Sequence, residues 1–210
     1  MSPRLHLIAL SFLVAFGSVA AYIAWTVPIA GWNDTRTTLG DDVLKATGKP
    51  MDDRFRLIDH LGRRVGPETF AGKVRLVFFG FTHCPDVCPT GLSLMSQLLE
   101  DLGPDAKYVQ ALFVTVDPER DTVSVLKDYV SMFAGNILGL TGTTTQIEEA
   151  TRAFDAYFKK VPQPSGEYTV DHTASVYLLG RDGTFRATID LHENQNVGLQ
   201  KVRRVVGNGK

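Results

Sequence analysis

Two cysteines, Cys84 and Cys88, are the only ones in this 210-residue chain, and they lie in the segment Phe-Gly-Phe-Thr-His-Cys-Pro-Asp-Val-Cys-Pro. On a helix, side chains four positions apart project from one face about one turn apart. Two sulfurs in this arrangement can converge on one soft metal ion or share a disulfide. The spacing therefore indicates metal-binding or redox chemistry at this pair.

The proline that follows each cysteine indicates how the pair is presented. Pro85 and Pro89 cannot donate backbone hydrogen bonds, which favours a shaped turn at the start of a helix. The amide groups at a helix N-terminus carry partial positive charge and favour thiolate over thiol. A buried structural disulfide, or two unrelated core cysteines, is the alternative interpretation.

The elements around the cysteines are predicted from the apolar pattern and the turn residues. Strands and helices alternate after an initial hairpin, and the last two strands form a closing hairpin around Arg-Asp-Gly. The third helix begins at a capping box of Thr145 and Glu148 and continues through Phe158. The predicted elements are an initial hairpin at 55–65, strands at 74–79, 111–116 and 137–140, helices at 92–102, 123–133 and 145–158, a loop at 161–166, and hairpin strands at 175–179 and 185–189.

This order of elements predicts an α/β fold that resembles thioredoxin, with a mixed central sheet flanked by helices, over residues 52–195. The cysteines lie at its first strand-to-helix junction, and three residues separate them instead of the two in a thioredoxin pair, a spacing suited to chelation. The loop entering a late strand passes close to that junction. His172, just before the predicted strand at 175–179, is therefore the candidate third ligand, because two thiolates leave a metal ion undercoordinated.

The other four histidines are weaker candidates for ligands. His6 lies beside the N-terminal apolar segment, His60 falls in a polar turn, and His192 follows the last predicted strand, so we expect His60 and His192 at the surface. His83 is the immediate neighbour of Cys84, which makes simultaneous ligation awkward. We expect His83 to pack beside the site or to support a ligand.

The N-terminal segment differs from the rest of the chain. No charged residue occurs between positions 7 and 25, and a run of about 20 apolar residues can cross a bilayer. We expect an uncleaved transmembrane anchor at 1–27, followed by a linker at 28–51; a signal peptide cleaved after Ser-Val-Ala is the alternative. Either interpretation places the domain outside the cytosol, in the periplasm or, in a eukaryote, in the mitochondrial intermembrane space.

The overall charge argues against one large class of partners. The net charge of -1 and the pI near 6.5 predict no binding to nucleic acid, which usually needs a basic patch. The basic residues Lys201, Arg203 and Arg204 alternate with valines near the C-terminus. This pattern predicts the outer side of an amphipathic helix in the C-terminal tail, 196–210.

Three segments, in order along the chain, closely resemble the Sco/SenC family. They are residues 79–89 around the cysteines, Val-Asp-Pro-Glu-Arg-Asp-Thr at 116–122, and Asp-His-Thr at 171–173 followed by Tyr177-Leu178. Members of this family are membrane-anchored, thioredoxin-like copper proteins that help to assemble the binuclear copper centre of cytochrome c oxidase. The similarity spans about 52–189.

The resemblance implies copper ligands at Cys84, Cys88 and His172. Thiolates suit Cu(I), and two thiolates with one imidazole form a three-coordinate site that also accepts Cu(II) with a further ligand. Zinc tolerates the same donors, so the preference for copper rests on the resemblance.

Four charged residues near these motifs are candidates for supporting roles, since carboxylates beside a metal site often orient an imidazole or tune its charge. Asp86 and Asp117 have simpler interpretations, as a helix cap and a turn residue. Asp171 is the most attractive candidate to orient the ring of its neighbour, and Arg120 completes the set.

The resemblance implies a copper metallochaperone that receives copper from an unidentified donor and passes it to cytochrome c oxidase subunit II or another cuproprotein. The alternative is a thiol-disulfide oxidoreductase, in which Cys84 and Cys88 are the catalytic pair and depend on an unidentified thiol reductant. His172 separates the two, because a dithiol reductant needs no distant imidazole. A peroxiredoxin-like peroxidase is disfavoured, since neither cysteine follows the required Pro and Thr, and a redox or copper sensor remains a third hypothesis.

Overall fold

The structure is a computed structural model that describes residues 55–164 and 166–207. The predicted anchor, the predicted linker and the first residues of the predicted domain lie outside these ranges. Within them, no helix is both long and apolar enough to cross a membrane.

Nine strands and four α-helices form in the part of the chain that the structure describes. The strands, in chain order, are β1 (Leu57–Asp59), β2 (Arg64–Val65), β3 (Val74–Gly80), β4 (Val109–Thr115), β5 (Ile137–Thr141), β6 (Phe158–Pro162), β7 (Tyr168–His172), β8 (Ser175–Leu179) and β9 (Phe185–Asp190). The α-helices are α1 (Val87–Leu102), α2 (Val123–Ser131), α3 (Thr144–Ala153) and α4 (Gln195–Gly207), and short 3-10 helices span Pro67–Phe70 and Gly103–Tyr108.

Seven of the strands form one mixed sheet in the order β2-β1-β5-β4-β3-β8-β9. Strands β3, β4 and β5 run parallel, because α1 and α2 carry the chain back between them, whereas β1, β8 and β9 pair antiparallel to their neighbours. The parallel strands place the carboxyl ends of β3 and β4 at one edge. The predicted α/β, thioredoxin-like fold with a mixed central sheet and flanking helices is confirmed.

The core covers both faces of the central strand β3, all seven residues of which are buried. Phe78 lies against Gly91 of α1, where an added Cβ would come within 2.8 Å of its ring. Phe79, the next residue, points to the other face and packs 5.3 Å from the ring of Phe154, just after α3. Because each buried Phe contributes roughly 1.5–3 kcal/mol, this layered packing fixes the position of β3.

Helix α1 carries the predicted apolar stripe on its buried face. The stripe repeats at three- and four-residue intervals through Leu92, Met95 and Leu98, and Gly103, with φ of 57°, follows the last helical residue. Helix α4 packs against α1, where Arg203 donates a hydrogen bond to the carbonyl of Asp101 at 3.0 Å. The amphipathic C-terminal helix predicted from the alternating valines is therefore present.

The third helix begins at Thr144, one residue earlier than predicted, and ends well before Phe158. Its capping box consists of Thr143 and Gln146, whose side chains bond to each other's backbone amides, and not of Thr145 and Glu148. Three threonines, a glutamine and a glutamate lie within the six residues 143–148, so the pattern alone offers two boxes. The helix stops at Ala153, and the chain enters β6.

The segment predicted as a helix end and a loop is a β-hairpin. Strands β6 and β7 pair in an antiparallel register from Phe158↔His172 to Pro162↔Tyr168, and they form a sheet separate from the seven-stranded one. His172 is therefore the last residue of a strand and not part of a loop. This hairpin positions His172 relative to the cysteines.

Candidate metal centre

The two cysteines lie at the junction between β3 and α1. The chain turns after Gly80, Cys84 precedes the helix, and Cys88 lies in its first turn. Both are free thiols, and both are buried, Cys84 with 9% of its surface exposed and Cys88 with none. The pair thus sits at the carboxyl edge of the sheet, as predicted, with one sulfur closer to solvent than the other.

Backbone amides point at both sulfurs. The amide of Cys88 donates to Cys84 Sγ at 3.3 Å, and the amide of Phe81 donates to Cys88 Sγ at 3.4 Å. Both donors stabilise negative charge on sulfur, and the Cys88 amide does so from the N-terminal turn of α1.

The two thiols share one negative charge unequally. The pKa of Cys84 is held well below its ordinary value, first by a hydrogen bond from the Cys88 thiol, against the opposing effect of burial, and then by the amides of Cys88 and Asp86. The pKa of Cys88 is raised, because its thiol is the donor in that bond and because it is buried. Without metal, Cys84 is therefore the thiolate and Cys88 keeps its proton.

His172 completes the group from the end of β7. Its Nε2 lies 3.4 Å from Cys88 Sγ, across 84 residues of sequence, and its Nδ1 lies 3.0 Å from the carbonyl oxygen of Thr173. A carbonyl only accepts, so Nδ1 carries the proton and donates it to Thr173. This tautomer leaves the Nε2 lone pair facing the sulfurs, the orientation in which histidine binds a metal.

One ion fits among the three side chains with little movement. One ligand atom from each of Cys84, Cys88 and His172 lies within 4.8 Å of the other two. A metal–thiolate bond is about 2.3 Å long, so two sulfurs bound to one ion lie at most about 4.6 Å apart. Two soft thiolates and one imidazole suit Cu(I) or zinc, and three ligands leave a coordination position open.

Aromatic rings and a glycine shape the wall behind these ligands. The rings of Phe78 and Phe81 stand edge-on to the His172 ring, at centroid distances of 6.0 and 5.8 Å. At Gly80, a Cβ would lie 2.7 Å from Cys88 Sγ. The sequence interpretation assigned no role to these three residues, although a glycine between two phenylalanines at the end of a buried strand is a signal of close packing.

A buried carboxylate that the sequence interpretation did not assign anchors the cysteine loop. Asp121, fully buried, accepts hydrogen bonds from the amide of Thr82 at 3.0 Å and from the hydroxyls of Thr82 and Thr115 at 2.6 Å each. These bonds tie the start of the loop to the carboxyl end of β4. The sequence did contain a signal for this role, because Asp121 is an acidic residue in the 116–122 segment, which follows a predicted buried strand.

Asp86 and Asp171 do not contact the predicted ligands in the way proposed for them. Asp86 occupies the N-cap position of α1, but its exposed side chain makes no capping hydrogen bond. Asp171 is exposed and lies opposite Lys159 in the hairpin register. Its side chain points away from that of His172, because successive residues of a strand point to opposite sides. The backbone carbonyl of Thr173, and not the Asp171 carboxylate, orients His172.

Asp117 and Arg120 form an ion pair in the loop after β4. Asp117 is fully buried, and Arg120 reaches from it to Tyr168, the first residue of β7. Their contacts thus lead to the hairpin that carries His172.

The other described histidines lie outside the three-residue group. His60 is half-buried, and its Nδ1 accepts a hydrogen bond from the amide of Gly139 at 3.0 Å. The prediction that His60 is a surface residue was therefore wrong. His83 is exposed, with Nδ1 3.1 Å from the Thr82 hydroxyl. His192 is exposed as predicted, and His6 lies outside the described residues.

Comparison with known proteins decides the family. The family model described as SCO1/SenC matches residues 44–207. The chain belongs to the SCO1/SenC family. Its sequence is 39% identical over 184 residues to the SCO2 homologue, mitochondrial, of Mus musculus, an alignment that covers 86% of this chain and 72% of the mouse protein. The chain spans about half the length of the human SCO1 and SCO2 homologues that it also matches.

Two solved members of the family were determined with copper bound. ScoI of Bradyrhizobium japonicum is 42% identical, with a TM-score of 0.67 over 72% of this chain and 96% of that one. Yeast Sco1 is 35% identical, with a TM-score of 0.67 over 73% of this chain and 86% of that one. The range that the family model matches, 44–207, contains both cysteines and His172.

Proposed function

We propose that this chain is a copper metallochaperone that delivers copper to the binuclear copper centre of cytochrome c oxidase subunit II. Cys84, Cys88 and His172 are its copper ligands. The observation that carries the proposal is the convergence of these three ligand atoms within 4.8 Å in a SCO1/SenC chain. Copper is favoured over zinc because the related ScoI and Sco1 structures hold copper.

The site is built to load and release its cargo. The Cys84 thiolate receives Cu(I) first, since its sulfur is ionised and lies nearer to solvent. Cys88 then binds and gives its proton to solvent, and Nε2 of His172 becomes the third ligand. An acceptor thiolate enters at the open coordination position, and the three ligands detach in turn as copper passes to the acceptor.

The domain acts outside the cytosol, tethered by residues 1–27 and spaced from the membrane by 28–51. The uncharged run between positions 7 and 25 supports the anchor, and the mitochondrial names of the relatives support the intermembrane space or its bacterial equivalent, the periplasm. The copper donor and the reductant that maintains the thiols are further partners.

A transfer experiment tests the proposal. The full chain, reduced and kept in detergent without oxygen, is titrated with Cu(I) in competition with a chromophoric chelator. The loaded protein is then mixed with the metal-free copper domain of subunit II, and the visible spectrum of that domain is followed. We expect one tightly bound equivalent and transfer to subunit II. Absence of stoichiometric binding, or binding without transfer, would contradict the proposal.

A thiol-disulfide oxidoreductase that reduces the acceptor's cysteines is the second candidate function. The lowered pKa of Cys84 favours it, because a thiolate beside a protonated partner is the arrangement of a nucleophile and a resolving thiol. Mixing the reduced chain with oxidised, metal-free subunit II domain tests it. Fast reduction of the acceptor that persists in His172→Ala, with no copper binding by the wild type, would favour the oxidoreductase.

A further inference from the structure

The hairpin that carries His172 has little support of its own. Strands β6 and β7 form a two-stranded sheet outside the seven-stranded one, and a two-stranded hairpin in water is marginally stable at best. Three of the five β6 residues are exposed, and Val170 is the one residue of β7 that is buried. The position of the imidazole therefore depends on contacts that bind this hairpin to the rest of the domain.

Tyr168, at the start of β7, is held from three directions. The Arg120 guanidinium stacks 3.9 Å above its ring, Nη1 of Arg120 donates to its carbonyl oxygen at 3.1 Å, and its own hydroxyl donates to Asp117 Oδ1 at 2.8 Å. Nε of Arg120 donates to the other oxygen of Asp117. We name Asp117, Arg120 and Tyr168 the Arg120 latch.

The latch also contacts the wall of the metal site. The guanidinium lies 5.8 Å from the Phe81 ring, whose edge-on neighbour at 5.8 Å is the His172 ring, and the Phe81 amide donates to Cys88 Sγ. One side chain thus touches both the hairpin and the cysteine loop. Because Asp117 is fully buried and only 20% of the Arg120 side chain is exposed, these charge-assisted bonds are little screened by solvent.

We propose that Arg120 is a positioning residue for the copper site. It fixes the start of β7 against the cysteine loop, so that His172, four residues further along the same strand, presents Nε2 to the sulfurs. This inference rests on the proposed function. It requires that Arg120 affects copper binding through His172 and not through the cysteines.

A double-mutant cycle tests that requirement. Cu(I) affinity is measured by chelator competition for the full reduced chain as wild type, Arg120→Ala, His172→Ala and the double variant. We expect Arg120→Ala to weaken binding by about tenfold or more, the usual effect of removing support from a metal ligand. In the His172→Ala background the same change is expected to have no further effect. An equal loss in both backgrounds would overturn the proposal.

Lys160→Ala is the matched control. The Lys160 ammonium also lies over the Tyr168 ring, at 4.7 Å, but it is bound to exposed Glu119 and does not reach Asp117. Its removal is expected to leave copper affinity unchanged. Arg120→Lys restores the charge without the planar fork, so we expect it to recover little of the lost affinity. Full recovery by Arg120→Lys, or equal losses in Arg120→Ala and Lys160→Ala, would count against the latch.

Hydrogen–deuterium exchange of the metal-free protein separates this inference from the proposed function. We expect Arg120→Ala to accelerate amide exchange in β6 and β7 while β3 and β4 stay protected. Wild-type protein that binds no copper would overturn the proposed function. Hydrogen–deuterium exchange would still show whether Arg120 holds the hairpin, because that measurement needs no copper. If Arg120→Ala does not fold, Tyr168→Phe, which loses only the bond to Asp117, replaces it. Hairpin exchange unchanged from wild type in the variant tested would overturn the latch.

Discussion

The two sides of the candidate copper site differ in how firmly the fold holds them. On the cysteine side, β3 is buried at every residue and lies between β4 and β8 in the middle of a seven-stranded sheet. On the histidine side, β7 belongs to a two-stranded hairpin with exposed residues on both strands. For the proposed function, this comparison predicts that the sulfurs fix the position of the copper ion and that the imidazole is the ligand most easily withdrawn during transfer.

The largest expected effect comes from removing a sulfur on the cysteine side, which the fold holds more firmly. Cys88→Ser replaces one of two soft ligands with a hydroxyl, so we expect Cu(I) affinity to fall by roughly 1000-fold or more. Chelator competition under anaerobic conditions measures it. Ser93→Ala, at an exposed position further along α1, is the control and should bind as the wild type does. A Cys88→Ser protein that holds Cu(I) as tightly as this control would show that the metal lies elsewhere.

Removing the imidazole should weaken the site without destroying it. We expect His172→Ala to reduce copper affinity by about 100-fold, more than the loss of a supporting residue, while Cys84 and Cys88 still form a disulfide under oxidation. Titration with copper and thiol counting after oxidation measure the two properties. His192→Ala removes an exposed histidine and serves as the control. Unchanged copper affinity in His172→Ala would exclude the three-ligand site.

A third change strains the firm side directly. Gly80→Ala places a Cβ 2.7 Å from Cys88 Sγ and 2.8 Å from the Phe113 ring, so the free energy of unfolding should fall by about 2 kcal/mol. Urea denaturation measures the loss. In Gly207→Ala, at the end of α4, the new Cβ meets no atom within 4 Å, so its stability should stay close to that of the wild type. Equal stability of the two variants would mean that the side chains around Gly80 can move aside at little cost in folding free energy.

The smallest expected effect is a several-fold difference in thiol reactivity. Folding lowers the pKa of Cys84, so its thiolate is present both at and below the ordinary thiol pKa of 9.0, whereas the raised pKa of Cys88 keeps that thiol protonated. Alkylation of the metal-free protein by iodoacetamide should therefore favour Cys84 and change little in rate between about pH 7 and 9. An unfolded chain should lose reactivity over the same range as pH falls. Mass spectrometry of the alkylated peptides decides which cysteine reacts.

The firm side was also the more predictable side. The apolar runs at 74–79 and 111–116 correspond to β3 and β4, and the Arg-Asp-Gly turn correctly placed the hairpin of β8 and β9. Buried strands give continuous apolar sequence, which is the strongest local signal. The cysteine junction followed from these elements, and the sequence placed His172 near the sulfurs only through topology and family resemblance.

The hairpin of β6 and β7 was not predicted, because the contacts that stabilise it join residues far apart in the sequence. The β6 sequence Phe-Lys-Lys-Val-Pro and the β7 sequence Tyr-Thr-Val-Asp-His contain few apolar residues, and Pro162 argues against a strand. What holds this hairpin is the contact of Arg120 with Tyr168, 48 residues further along the chain. Asp121 was missed for the same reason, since two of its partners belong to Thr82, 39 residues earlier.

The pairing of β3 with β8 has a consequence for the order of events during synthesis. Strand β8 begins three residues after His172 and pairs antiparallel with β3, Arg75 opposite Leu179 and Val77 opposite Tyr177. A chain emerging from the ribosome exposes both thiols long before this long-range pair can close and bring the imidazole to them. If the proposed ligands are correct, copper binding by all three of them therefore requires the finished domain, and a chain that ends before β8 offers only the two sulfurs.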